Sequence, residues 1–300
     1  MHVGYLLYPT VQVWVEADPA FSVKTLWAGH GDTTVTIENI VDPQYGTGLT
    51  TVHSFISDGQ FIAVPPASHF GGANNNRRIE FIGDSITAAT NVVRPPDAPS
   101  CGDGGYQSDW SQTYEGLLCH HFGASCSTIA VGGKCVMREC GGLQMPDYFL
   151  SQNYADAPRP TYNFTNGWSP DAMFINLGTN DVRAITKLGP TAGPAAFISE
   201  FLTFMHNITL LYQRSDIHFF LNAGPMENVT APYTAQIVEQ ALQEGLNTTF
   251  INMSTACWDS GGAHDNSDWC DGCANHPGIF GHRKMYEDAM PIMAAAMGWD

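Results

Sequence analysis

The hydrophobic pattern after residue 76 predicts strands that alternate with helices. Short runs rich in β-branched and aromatic residues predict five strands, RIEFIG, CSTIAVGG, AMFINLG, HFFLNAG and TFINMS. Apolar residues three or four positions apart predict helices in DWSQTYEGLLCHHF, PAAFISEFLTFMHNITLLYQR, APYTAQIVEQALQEG and GIFGHRKMYEDAMPIMAAAM. Strands that alternate with helices of this length are typical of a parallel sheet covered on both faces. The pattern therefore predicts an α/β fold with three layers.

The last predicted helix has apolar residues that recur mostly three or four positions apart. This spacing predicts a helix face buried in the core, and not a cofactor-binding motif. The positions assigned to that face are Ile279, Phe280, Met285, Ala289, Met293 and Met297.

The first 75 residues follow a different pattern. Four short segments, VQVWVEA, TTVTIENI, TVHSFIS and QFIAV, are β-branched or alternating and are separated by glycine, proline and aspartate. This is typical of antiparallel strands in a β-sandwich, and PPASHFGGANNN then predicts a linker. We therefore predict a small β-sandwich domain at residues 1–75 and an α/β domain at residues 76–300. Because so short a sandwich is small for independent folding, either it packs on the second domain or its first strands are missing.

The charge balance disfavours two classes of partner. The 300 residues include 29 acidic and 12 basic ones, which gives a formal net charge of -17 at pH 7. No basic cluster is longer than RR or HRK, so we expect neither nucleic acid nor an anionic membrane surface as partner. No apolar run reaches the roughly 18 residues of a membrane span. A neutral or weakly charged substrate is expected.

Eight cysteines predict a disulfide framework rather than a metal site. The segment CDGC has no second pair of cysteines or histidines at zinc-finger spacing. The pairing does not follow from the sequence. The cysteines are Cys101, Cys119, Cys126, Cys135, Cys140, Cys257, Cys270 and Cys273.

Five N-x-Ser/Thr sequons accompany this even cysteine count. Together they predict a secreted, glycosylated protein, although MHVGYLLYPTVQVWVEADPA at the start lacks the basic region of a signal peptide. The candidate glycosylation sites are Asn163, Asn207, Asn228, Asn247 and Asn252.

Small and polar residues with chemical potential follow the predicted strands. Ser85 comes after RIEFIG, and Gly132 and Gly133 come after the second strand. The segment GTND with Asn180 follows AMFINLG, and His276 lies in the last loop, CDGCANHPGIFGH. Because ligands bind beyond the carboxyl ends of parallel strands, we expect these residues to share one site.

These residue types supply each group that ester hydrolysis needs. A serine becomes a nucleophile when a base in hydrogen-bonding distance takes its proton, and histidine suits that role near neutral pH. Ser85, at a predicted strand-to-helix corner, is the candidate nucleophile and His276 the candidate base. The candidate donors to the oxyanion are the N–H groups of Ser85 and Gly133 and the carboxamide of Asn180. The alternative for Ser85 alone is a helix N-cap.

In this order, GDS, a glycine after the second strand, GTND and HP resemble the four sequence blocks of the SGNH, or GDSL-type, hydrolases. More narrowly, RRIEFIGDSIT after a short β-rich unit resembles carbohydrate esterase family 2. The resemblance implies a jelly-roll-like domain followed by an SGNH three-layer sandwich. It also implies an enzyme that removes acetyl groups from plant polysaccharides, with Ser85, Gly133, Asn180 and His276 in the site and without a metal or organic cofactor.

Two positions depart from the family pattern. An aspartate usually stands two or three residues before the histidine, where this chain has Cys273 and Ala274. Either a non-standard acid such as Asp271 reaches His276, or the site works as a serine–histidine dyad. The glycine block reads GGKC, which leaves open which of its two glycines lines the oxyanion site.

Three residues near the predicted site are expected to be structural. The carboxylate of Asp84 is expected to bond backbone N–H groups at the corner after the first strand of the α/β domain, and Asp181 is interpreted in the same way. His282, in the last predicted helix, is expected to be a surface or packing histidine and not to act in the chemistry.

Loop aromatics are candidate substrate contacts, because the C–H faces of sugar rings stack on aromatic rings. Trp258 and Trp269 are the main candidates, beside Tyr106 and Trp110, and buried loop anchors are the alternative interpretation. Because Cys270 and its neighbour in CDGC flank the histidine loop, a disulfide there is expected to limit the movement of that loop.

We therefore predict a secreted serine esterase that removes O-acetyl groups from a plant cell-wall polysaccharide such as xylan or glucomannan, through an acyl-enzyme on Ser85. No cofactor, nucleic acid or membrane is expected, and a monomer is favoured. Two alternatives are another SGNH esterase or lipase, and a carbohydrate-binding protein that has lost turnover.

Overall fold

The computed structural model describes residues 10–14, 34–38, 76–93, 108–151, 161–165, 167–253, 270, 272 and 276–299. The predictions for Tyr106, Trp258, Trp269 and Asp271 lie outside these residues, as does most of the predicted first domain. The five predicted strands of the α/β domain lie inside them, except for the final residue of the last one, and so do Ser85, Asn180 and His276.

Within the first 75 residues, two strands are described, β1 (Thr10–Trp14) and β2 (Thr34–Glu38). Both coincide with predicted strands. They pair in parallel, so the prediction of antiparallel strands is wrong for this pair. The sequence carries no signal for strand direction here, because side chains alternate between the two faces in both arrangements. The β-sandwich and the boundary between residues 1–75 and 76–300 stay predictions.

A five-stranded parallel sheet forms the centre of the α/β domain, as predicted. Its spatial order is β4-β3-β5-β6-β7. This order places a topological switch point between β3 and β5, where ligands bind in open α/β sheets. The strands are β3 (Arg78–Gly83), β4 (Ser125–Ala130), β5 (Ala172–Asn176), β6 (His218–Ala223) and β7 (Asn247–Asn252).

Six α-helices surround the sheet in the described ranges. The predicted helices correspond to α1, α4, α5 and α6, whereas the two short helices α2 and α3 were not predicted. None of the six is long and apolar enough to cross a membrane. Their bounds are α1 Tyr114–Phe122, α2 Met145–Phe149, α3 Val182–Leu188, α4 Ala192–Tyr212, α5 Ala231–Gln243 and α6 Ile279–Met297.

The core lies in two layers, one on each face of the sheet. Ile82 of β3 packs in the layer that contains α4 and α5, whereas its neighbour Phe81 packs in the layer that contains α1 and α6. This alternation confirms a sheet covered on both faces. The burial of apolar side chains on both faces is the main stabilising contribution to this fold.

The buried face of α6 agrees with the prediction in its later turns only. Met285, Ala289 and Met293 are fully buried, but Ile279 and Phe280 are exposed. The prediction that these two belong to the core is wrong. The helix begins three residues after His276, which contacts Ser85 beyond the end of β3, so its first turn lies at the edge of the sheet and not over it.

Disulfides join elements of the α/β domain, as the cysteine count predicted. Cys119 of α1 bonds Cys126 of β4, and Cys135 bonds Cys140 in the loop after β4. Cys270 also forms a disulfide, and its partner lies outside the described residues. The effect of that disulfide on the histidine loop stays a prediction.

Candidate active site

Ser85 lies in the turn directly after β3. The last residue of β3 is Gly83, and any Cβ there would overlap the side chain of Thr87. Only glycine therefore allows the chain to turn back so closely. The hydroxyl of Thr87 lies 2.9 Å from that of the fully buried Tyr114, which ties the turn to the start of α1.

The segment after Ser85 forms hydrogen-bonded turns and not the predicted helix. Its backbone bonds include Ala88 N to the Asp84 carbonyl at 2.9 Å and Thr90 N to the Ser85 carbonyl at 3.0 Å. A regular helix does not form here, because Ala89 and Asn91 have φ angles of 58° and 64°, in the left-handed region.

His276 meets Ser85 across 191 positions of sequence: its Nε2 lies 2.8 Å from the Ser85 hydroxyl oxygen. This is a hydrogen-bonding distance. Either atom is able to donate in the resting state, depending on the imidazole tautomer. The pair has the geometry that a general base and a serine nucleophile require.

Gly272 brings the histidine loop against the serine turn. Its N–H donates to the carbonyl of His276 at 3.0 Å. A Cβ on Gly272 would lie 2.6 Å from the Asn91 carbonyl and 2.8 Å from that of His276. A side chain at Gly272 would therefore force the two segments apart. Sequence reasoning missed this residue, and its signal was a glycine between the two cysteines of CDGC.

Asn180 lies after β5, on the other side of the switch point. Its Nδ2 donates to Oδ2 of Asp84 at 3.0 Å and to the carbonyl of Lys134 at 3.2 Å. Because Asp84 directly precedes Ser85, these bonds place the carboxamide beside the serine turn. The Lys134 carbonyl places the glycine turn after β4 beside the same carboxamide.

That glycine turn contains Gly132 and Gly133, of which Gly132 is buried and Gly133 exposed. Gly133 has a φ of 73°, a conformation that favours glycine over any other residue. The accessible backbone of Gly133 is compatible with the predicted role of its N–H group. That role, like those of Ser85, Asn180 and His276, stays a prediction.

Two buried aspartates hold these segments together. Asp84 accepts a bond from the Ile86 N–H at 3.0 Å, in addition to the bond from Asn180. Asp181 accepts from the N–H groups of Val136, at 3.0 Å, and Met137, at 2.8 Å. Both carboxylates therefore bond backbone groups, in agreement with a structural interpretation, and Asp181 fixes the loop that follows the glycine turn.

The electrostatic environment of these aspartates is unusual. Burial is the main cause that raises the pKa of Asp84 to about 7, and the nearby carboxylates of Asp181 and Glu227 raise it further. Burial likewise raises the pKa of Asp181 to about 7, despite the bonds from Met137 and Val136. Protonation of either group reduces the negative charge beside the candidate site.

His282 is fully buried in α6 and packs against Tyr114, with nearly parallel rings 5.9 Å apart. Its Nδ1 accepts a bond from the Tyr114 N–H at 3.3 Å. Burial, and next the proximity of His276, lower its pKa to about 3. His282 is therefore uncharged near neutral pH, as expected for a packing residue.

Trp110 was a candidate substrate contact, and the structure gives it a different role. It begins a short 3-10 helix, Trp110–Gln112. Its indole N–H donates to the hydroxyl of Thr128 in β4 at 3.2 Å, and the side chain packs partly buried against the core. It is thus an anchor of that segment, which was the alternative interpretation.

Within the described residues, one group has the composition of a metal site, namely Cys135, Cys140 and Asp181. The two cysteines form a disulfide with each other, and Asp181 accepts backbone bonds. This group offers no thiolate, so its donors do not fit a metal ion.

All five sequon asparagines are exposed in the structure. The side chain of Asn163 accepts bonds from the N–H and hydroxyl of Thr165, its sequon partner. Two of the others begin and end β7. The exposed positions are Asn163, Asn207, Asn228, Asn247 and Asn252.

The sequence comparisons agree with this geometry. The model of the GDSL-like lipase/acylhydrolase family matches residues 81–284. The chain belongs to this family. The match contains Ser85, Asn180 and His276, and it confirms the resemblance to the GDSL-type hydrolases. The predicted class of the chain, a carboxylic ester hydrolase, is that of the family.

One curated relative is the cellulase/esterase CelE of Acetivibrio thermocellus. It is 26% identical over 246 residues, which are 74% of this chain and 26% of that protein. This GDSL-family chain thus spans about a quarter of that relative's length.

Several solved structures of carbohydrate esterase family 2 share the fold. An enzyme with a carbohydrate-binding domain, from Corynascus thermopiles (Myceliophthora fergusii), is 26% identical, with a TM-score of 0.61 over 81% of this chain and 70% of that one. A Clostridium thermocellum enzyme in complex with cellohexaose has a TM-score of 0.65 and 22% identity, covering 81% and 69%. An acetyl xylan esterase from Butyrivibrio proteoclasticus has a TM-score of 0.60 and 18% identity, over 81% of this chain and 67% of that one. At such identities the last two show the fold alone.

Proposed function

We propose that this chain is a secreted serine esterase that removes O-acetyl groups from a plant cell-wall polysaccharide such as xylan or glucomannan. One observation carries the proposal: His276 Nε2 lies 2.8 Å from the Ser85 hydroxyl, at the carboxyl edge of the sheet and beside the segment of Asn180. A nucleophile and its base in contact at a switch point is the arrangement that acyl transfer needs.

The reaction begins when Ser85 attacks the acetyl carbonyl and His276 takes the hydroxyl proton. The resulting oxyanion is stabilised by the N–H groups of Ser85 and Gly133 and by the Asn180 carboxamide. His276 then gives its proton to the sugar oxygen, which leaves, and the acetyl group stays on Ser85. Water, activated by the same imidazole, releases acetate and restores the serine.

The bonds of Asn180 indicate how it would meet the oxyanion. An amide nitrogen has two hydrogens, and here one faces Asp84 and the other the Lys134 carbonyl. The bond to Lys134 is the longer one, at 3.2 Å. We infer that the hydrogen facing Lys134 is the one that the oxyanion shares, while Asp84 keeps the planar carboxamide in position.

The substrate class is supported by the relatives. Among them are an acetyl xylan esterase and an esterase solved with cellohexaose. The net charge of -17 favours a neutral or weakly charged polymer over an acidic one. Secretion and glycosylation are supported by disulfides that join described cysteines and by five exposed sequon asparagines.

The test is acetate release from acetylated xylan, acetylated glucomannan and an aryl acetate by the wild type and by Ser85→Ala. We expect the wild type to act on at least one polysaccharide, and Ser85→Ala to lose all three activities with unchanged circular dichroism. Wild-type turnover by Ser85→Ala would show that the nucleophile is another residue.

A second candidate is an acylhydrolase or lipase that acts on longer acyl chains, because the family as described includes lipases. Aryl esters of increasing acyl length separate the two. A polysaccharide deacetylase should prefer acetyl to butyryl and longer groups, whereas a lipase should show the opposite order.

A further inference from the structure

Phe280 is an exposed aromatic side chain next to the candidate active site. It is 69% exposed, whereas every other phenylalanine, tyrosine and tryptophan side chain described is buried or only partly exposed. The helical periodicity predicted a core position for it, and its exposure shows that the ring is not part of the core. Single exposed apolar residues are common on protein surfaces, and location therefore decides whether this one has a role.

The location of Phe280 connects it to the reacting groups. It is the second residue of α6 and stands four residues after His276, whose imidazole contacts Ser85. Four residues of chain span at most about 14 Å. A polymer that presents one acetyl group to Ser85 therefore extends far enough to reach the Phe280 ring with a neighbouring sugar.

Polar side chains continue the same face of the helix. Arg283 and Glu287 follow Phe280 by three and seven residues, a spacing that places all three on one helix face. Arg283 and Glu287 form an ion pair, with Nε of Arg283 3.2 Å from Oε1 of Glu287. The side chain of Arg283 is 70% exposed and that of Glu287 is 56% exposed. We call Phe280, Arg283 and Glu287 the α6 face. It combines an apolar ring with donors and acceptors, and its charges balance.

We propose that the α6 face is a subsite for a sugar residue of the polysaccharide, adjacent to the residue that carries the reacting acetyl group. The ring of Phe280 stacks on the C–H face of the pyranose, and Arg283 and Glu287 bond its hydroxyl groups. The ligand is a neutral polysaccharide, because the paired charges leave no net attraction for an ionic one. This subsite rests on the proposed function for its class of ligand.

The subsite is tested by comparing Phe280→Ala with the wild type on a polymer and on an aryl acetate. An aryl acetate carries no neighbouring sugar residue, so it lacks the group that the proposed subsite binds. We expect the KM for acetylated glucomannan or xylan to rise about five- to tenfold, with kcat and all aryl acetate kinetics unchanged. Phe280→Trp should restore the wild-type KM. The matched control is Leu210→Ala, an apolar side chain 73% exposed on α4, which packs on the opposite face of the sheet.

Three outcomes overturn the subsite. The first is an unchanged KM for the polymer in Phe280→Ala. The second is an equal loss of activity on the polymer and on the aryl acetate, which would mean that Phe280 only supports the His276 loop. The third is a KM effect of the same size in Leu210→Ala. Gel retardation by the polysaccharide, measured for Ser85→Ala with and without Phe280→Ala, separates this proposal from the proposed function. Binding that depends on Phe280 without acetate release by the wild type would keep the subsite and reject the esterase. Acetate release with binding and kinetics independent of Phe280 would do the reverse.

Discussion

The carboxamide of Asn180 lies between two acceptors, and its contacts define what its removal would change. Asp84 and the Lys134 carbonyl hold it from two sides, so the donor is preorganised before a substrate arrives. Donors fixed in this way lower a barrier without reorganisation during the reaction. The loss of this one group should therefore affect the rate much more than the fold.

We predict that Asn180→Ala lowers kcat on an aryl acetate about 100- to 1000-fold. Steady-state kinetics measure the effect, and KM should change little because the ground-state ester carries no full charge. The matched control is Asn207→Ala, an exposed asparagine on α4. A kcat within threefold of the wild type, about 0.7 kcal/mol, would remove Asn180 from the oxyanion site.

Glu80 supports a prediction about stability. It is buried in β3 and accepts a bond from the Tyr212 hydroxyl at 2.8 Å. Burial is the main cause that raises its pKa from 4.5 to about 7. The folded state therefore binds the proton more tightly than the unfolded state, and stability falls as the pH rises from 4.5 to about 7. The cost of the buried charge is fully present above that range.

Glu80→Gln should increase the free energy of unfolding at pH 8 by about 1–3 kcal/mol, because it removes that charge and keeps an acceptor for Tyr212. At pH 4.5, the pKa of an ordinary glutamate, the gain should be much smaller. Urea unfolding at the two pH values measures both. Equal stabilisation at both would contradict a titrating carboxyl at this position.

At the scale of elements, the two described disulfides close short loops of similar length, with sequence separations of 5 and 7. Their positions differ. Cys135–Cys140 closes the loop whose N–H groups bond Asp181, directly after the glycine turn. Cys119–Cys126 joins α1 to β4, where none of the candidate catalytic residues lies.

Replacing either cysteine pair with serines should lower the unfolding free energy by about 2 kcal/mol. Only the Cys135–Cys140 replacement should also lower kcat, by about tenfold, because it loosens the backbone that presents Gly133. Urea unfolding and aryl acetate kinetics on both double variants test this. Equal kcat values in the two would mean that the loop after β4 does not position the oxyanion donors.

Elements with a clear pattern of apolar residues were predictable from the sequence. Elements that depend on contacts between distant segments were not. The five strands are short runs rich in β-branched and aromatic residues, so their existence followed from the sequence pattern. The helices α2 and α3 have only 5 and 7 residues, too few for a helical period to stand out. The turn after Ser85 departs from a helix at Ala89 and Asn91, whose positive φ angles have no residue-type signal of the kind that glycine gives.

The candidate site shows the same division. The residue types at positions 85, 180 and 276 were predictable because each follows a strand or ends a loop with a recognisable motif. The bond that Asn180 donates to Asp84 joins residues 96 positions apart, and a side chain at Gly272 would overlap two carbonyl groups. Such contacts depend on how the segments pack, which one sequence does not specify.

At the scale of the whole molecule, the excess of acidic residues should influence which polymers approach the site. A net charge of -17 repels acidic polysaccharides at low ionic strength, and salt screens this repulsion. Raising the salt concentration from 20 to 200 mM should increase kcat/KM on an acidic acetylated xylan by about threefold, and leave kcat/KM on neutral acetylated glucomannan unchanged. The same salt response on both polymers would contradict electrostatic selection.

The central claim is that His276 activates Ser85, and covalent labelling tests it most directly. An active-ester phosphonate, which reacts with activated serines, is incubated with the wild type and with His276→Ala, and the modified peptide is identified by mass spectrometry. We predict rapid labelling of Ser85 in the wild type and labelling slower by at least about 1000-fold in His276→Ala at the same pH. Labelling of a different residue, or equal rates in the two proteins, would contradict the account.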